Sequence, residues 1–81
     1  MPCFWMSFCD TDKPNGEQFT GVVITISSDF ESAVKKTHRL QINPGGEVAS
    51  WEVPEDDIPM HFFNRLLSKE QCDELEEIME K

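Results

Sequence analysis

Two histidines, three cysteines and two close carboxylate pairs are the residues of this chain that could carry chemistry. A metal site needs Cys, His or carboxylate ligands converging at short spacings. A nucleophilic site needs an activated Cys or Ser beside a base and an oxyanion donor. His38 falls near the end of a helical pattern and His61 in an apolar, aromatic segment, with no Cys or carboxylate at helical ligand spacing from both. Helix-cap and core roles describe them better than metal binding. Cys9 could meet a histidine after folding, but nothing in the order of residues specifies it, and Cys is commonly a small buried group. The pairs Asp10/Asp12 and Asp56/Asp57 lie in turn-forming sequence, where Asp is favoured for its backbone hydrogen bonds. No catalytic residue, metal ligand or cofactor site is assigned on this reading, and the chain leans away from an enzyme.

Pro44-Gly45-Gly46 has the glycines of an anion-binding nest. Phosphate loops, however, lead from a strand into a helix N-terminus. This segment follows a helical pattern and precedes an extended one, so a turn that needs positive φ is the better description.

The elements that must position these groups are legible from periodicity. Phe19–Ile26 is rich in β-branched residues and carries apolar groups on both alternating faces, which predicts a central strand. Ser28-Asp29-Phe30-Glu31 matches a capping box, and Phe30, Ala33, Val34 and Thr37 follow helical spacing behind it. Residues 4–9 alternate as a first strand, separated from the second by a turn-rich loop at 10–16, and the two are expected to pair antiparallel. Glu47–Val53 alternates as a third strand, placed beside the first or the second. A polar connector at 54–59 leads to an apolar segment, Met60 to Leu67, read as one helical turn. Ser68-Lys69-Glu70-Gln71 is a second capping box, opening a helix with a narrow stripe of Cys72, Leu75, Ile78 and Met79. The expected fold is α+β: a small three-stranded sheet in β-β-α-β-α order with two helices packed on it, a single domain over residues 1–81.

The formal net charge is −9, and it is uneven: residues 47–81 hold eleven acids against three bases. Without clustered Lys and Arg, direct nucleic-acid binding and attraction to anionic membranes are not expected. An odd number of cysteines without a C-x-x-C pair indicates neither a disulfide framework nor a zinc knuckle, and a reducing cytoplasm is the simplest compartment. The apolar start lacks a basic region and does not read as a signal peptide, and no apolar run is long enough to span a bilayer.

Gly16-Glu17-Gln18-Phe19 with Gly21-Val22, then Ile42-Asn43-Pro44-Gly45-Gly46-Glu47 and Asn64-Arg65-Leu66-Leu67-Ser68, resembles a group of small uncharacterised bacterial proteins. The resemblance covers most of the chain. It implies a bacterial or phage cytoplasmic setting and carries over no functional residue.

The aromatic residues give the functional expectation. If Val22, Ile24 and Ile26 face the helices together with Phe4, Met6, Phe8, Ala49, Trp51 and Val53, a second sheet face carries Trp5, Phe19, Val23 and Val48. Covered by the last helix, that face is core. Left open, it is an apolar patch of the kind that marks partners, and homodimerisation is its simplest use. The leading expectation is a small acidic protein–protein interaction module. One alternative is a small-molecule-binding or enzymatic domain with a cleft between the 10–16 loop and the 44–46 turn. The other is an acidic inhibitor that imitates nucleic acid, against which stands the wrapping of carboxylates around the last helix.

Overall fold

The structure, a computed structural model, describes residues 1–80. Its strands are β1 (Cys3–Cys9), β2 (Phe19–Ile26), β3 (Glu47–Val53) and β4 (Leu66–Leu67), with helices α1 (Phe30–Arg39) and α2 (Lys69–Met79). The strands form one antiparallel sheet in the order β3-β1-β2-β4. The class is α+β, as the sequence predicts, but the sheet has four strands rather than three.

The added strand comes from the segment read as one helical turn. Only Met60–Phe62 is helical, as a 3-10 turn. Asn64 then takes the left-handed conformation, φ 59°, and turns the chain back along β2. Its N–H donates to the Ile24 carbonyl at 2.9 Å, and its Oδ1 accepts from the buried Thr25 hydroxyl at 2.8 Å. These bonds seat Leu66 and Leu67 opposite Val23 and Val22. β2 is thus internal where it is most apolar, and β3 lies beside β1.

Both helices start at a side-chain cap. Ser68 accepts from the Gln71 N–H at 3.3 Å, and Gln71 Oε1 accepts from the Ser68 N–H at 2.9 Å, completing the capping box of α2. In α1 the cap falls one residue later than predicted: Asp29, not Ser28, accepts from the Ser32 N–H, at 2.7 Å. Asp29 is the extended residue there, so its carboxylate, not the Ser28 hydroxyl, is the one within reach of the first free N–H groups.

Cross-strand register sets the layers. Trp5 stands opposite Ile24 on one side and Trp51 on the other. Cys3, Trp5, Val22 and Ile24 therefore share a face, which packs against Cys72 and Leu75 of α2. Phe4, Met6, Phe8 and Val23 share the opposite face, which packs against Ala33 of α1. The result is three layers, helix–sheet–helix. The predicted grouping put Phe4, Met6 and Phe8 with Val22 and Ile24, one residue out of phase. Both alternating sets of β1 are apolar, so periodicity does not say which one meets which partner.

Candidate functional site

α2 packs on β2 and β4, and it leaves the β1–β3 side of its face open. Trp51 lies in that opening. Trp5 and Trp51 are cross-strand partners, and their indoles stack with centroids 6.2 Å apart and planes inclined by 15°. Trp5 is 5% exposed and Trp51 50% exposed, so the inner ring is core and the outer one forms a surface. A groove of about 220 Å³ runs between Trp51 and Val53 on the sheet and Glu76 and Met79 of α2 with Glu80 at its C-cap. A second hollow of about 390 Å³ shares Trp5, Trp51 and Glu76 and continues past Phe19 to Lys69 and Asp73. Together they make an indole-floored trough beneath an acidic helix.

Its polar groups are surface groups. Lys69 and Asp73 pair at 3.1 Å across one helical turn, and Glu76 and Glu80 have no cation within ion-pair distance among the described residues. Cys72 lines the second hollow but is buried, and burial, with the Glu76 and Asp73 charges, pushes its thiol up to about 11. The Cys3 thiol is pushed up as well, by burial first and then by Glu55. Thiols held in the neutral form are poor nucleophiles. Among the described residues no three of His, Cys, Asp or Glu gather in a way that could hold a metal ion.

The four residues assigned to one interaction face lie on two. Trp5 and Phe19 line the trough. Val23 is fully buried and the half-buried Val48 packs beside it, both under α1. Phe19 joins Trp5 because of a bulge: Phe8 pairs with Gly21 but Cys9 with Phe19, so Thr20 is an extra residue and the alternation slips. Trp51, which the sequence placed with the helix-facing set, is the aromatic residue most open in the trough. Its position in the third strand was visible; its exposure follows from the edge position of β3.

The Pro44-Gly45-Gly46 segment is a turn. Gly45 and Gly46 have φ of +82° and +78°, and the Gly45 N–H donates to Asn43 Oδ1 at 2.7 Å. Gly46 is pressed so closely on the Cys9 carbonyl that a Cβ there would collide with it. The 10–16 loop and this turn thus do approach each other. The trough reaches Gly16, but its walls come from the strands and α2 and not from residues 44–46.

No family model matches the chain, and no curated protein or solved structure is significantly similar to it.

Proposed function

We propose that this chain is a small acidic protein–protein interaction module that docks its partner on β3 and the trough beside it. The observation that carries the reading is the half-exposed Trp51, held flat by Trp5 on a strand at the sheet edge. Large exposed aromatics on a rigid platform are what binding surfaces concentrate, because they contribute area with little loss of side-chain entropy. Glu47, Ala49, Trp51 and Glu52 of β3 are exposed and its other three residues are only half-buried, so its outer edge is open to a partner. The surface differs from the one the sequence suggested: it takes Trp5 and Phe19 from that set and replaces Val23 and Val48 with Trp51, Val53 and Met79.

Affinity capture from the source cell with the intact chain and with Trp51→Ala tests this. Proteins retained by the intact chain and lost on Trp51→Ala, at matched melting behaviour, support the module. Identical captures by the two, or none by either, remove it.

A further inference from the structure

We infer that the occupant of this surface is an extended, basic segment of a partner protein, which adds to β3 as a fifth strand and lays a cationic side chain on Trp51. The inference rests on the interaction-module reading and names the chemistry of its partner.

β3 is paired with β1 along all seven residues, Glu47 to Val53, and among the described residues no strand lies along its other side. An edge of that length is a ready template for strand addition, in which backbone hydrogen bonds give affinity and alternate side chains give selectivity. Ala49, Trp51 and Val53 share the face that carries Trp5, so every second residue of an added strand would pass beside the trough.

Charge decides which segment fits. Between Arg39 and Arg65 there is no Lys or Arg, and Glu47, Glu52, Glu55, Asp56 and Asp57 all fall in that interval. Glu76 of α2 and Glu80 at its C-cap close the trough. A guanidinium or ammonium on the Trp51 face would meet an indole and two carboxylates at once, and Arg is the better match because its plane stacks on the ring. An acidic segment would meet repulsion from Glu76 and Glu80 at the Trp51 face.

The same charges argue against a second copy. Self-pairing along β3 would bring together two chains of formal net charge −9 each, at a strand and a following turn that hold acids and no base, so the repulsion between copies opposes it.

The test uses the full chain and three synthetic nonapeptides. The first alternates arginine with valine. The second replaces arginine by glutamate. The third keeps the arginines and carries an N-methyl group on every internal backbone nitrogen, so that whichever alternate set faces β3 lacks its donors. Trp51 fluorescence and backbone amide exchange are read at low and at physiological salt. The expected result is binding of the first peptide, slowed amide exchange along β3, about tenfold or greater weakening for the third peptide, and no binding of the second. Binding should weaken with salt and with Glu76→Gln/Glu80→Gln. Equal binding of the first and third peptides overturns strand addition. Equal binding of the first and second overturns the charge argument. A doubled mass in sedimentation equilibrium, lost on Trp51→Ala, assigns the edge to a second copy instead. If Trp51-dependent capture succeeds while the arginine peptide does not bind, the module stands and this inference falls.

Discussion

Trp5 and Trp51 face each other across the β1–β3 ladder and stack at 6.2 Å, one ring sealed in the core and the other open to solvent. A single pair thus joins the packed interior to the proposed docking surface. Trp5→Ala removes a buried indole and is expected to cost about 3–5 kcal/mol. Trp51→Ala should cost distinctly less, since half of that side chain is already in water. A double-mutant cycle by urea denaturation should give a coupling of about 0.5–1.5 kcal/mol.

Asn64 is the hinge that delivers β4. Asn64→Gly keeps the left-handed backbone available but strands the buried Thr25 hydroxyl, and should cost about 1–3 kcal/mol. Asn64→Ala adds the strain of φ 59° on a Cβ-bearing residue and should cost about 1–2 kcal/mol more. Thr25→Val, which removes the donor and leaves only a solvent-accessible amide, should be the mildest of the three. Denaturation midpoints of the three variants give the ranking.

Gly45 and Gly46 have nearly the same backbone conformation but different surroundings. Space is open around Gly45, whereas Gly46 lies on the Cys9 carbonyl. Gly45→Ala should cost about 1–2 kcal/mol, from backbone conformation alone. Gly46→Ala must also push the 44–46 turn away from β1, so its loss should be clearly larger. The difference between the two midpoints measures that contact.

Ser50 Oγ is buried on β3 with no hydrogen-bond partner. Ser50→Ala removes a desolvated hydroxyl and loses no bond. Its stability should be unchanged or raised, by up to about 1 kcal/mol, in the same urea titration.

Stability should fall as pH rises through the alkaline range. The Cys72 thiol is raised from 9.0 to about 11, so the unfolded chain loses that proton first. The contribution is complete below pH 9.0 and is lost as pH rises to about 11. Cys72→Val should flatten this slope in unfolding curves recorded between those limits. Asp29 acts at the other end: its bonds from Ser32 lower its carboxyl, so its contribution is present at neutral pH and is lost as acid protonates it.

Local chemistry explains what was legible in the residues. β2 and both helices carry strong local signals: a β-branched run, helical spacing behind a cap, and a capping box at Ser68 that forms in full. β4 carries none, because two leucines have no period and their strand character comes wholly from Asn64 and from pairing with a distant segment. The faces of β1 were ambiguous for a related reason. Both sets carry large apolar groups, Phe4, Met6 and Phe8 on one side and Cys3 and Trp5 on the other, so only register could say which meets which partner. Phe19 crossed to the trough through one extra residue at Thr20, a slip whose nearest sequence mark is Gly21, at φ +149°.

β1 lies in the middle of the three layers, yet it precedes in the chain every element that packs on it. Its apolar run must wait for α1 on one side and, much later, for α2 on the other. Native contacts between such distant segments impose slow loop closure on folding. During synthesis the run from Cys3 to Phe8 would therefore stay uncovered on one side until α2, about seventy residues on, had left the ribosome, the interval in which help from a chaperone would matter most.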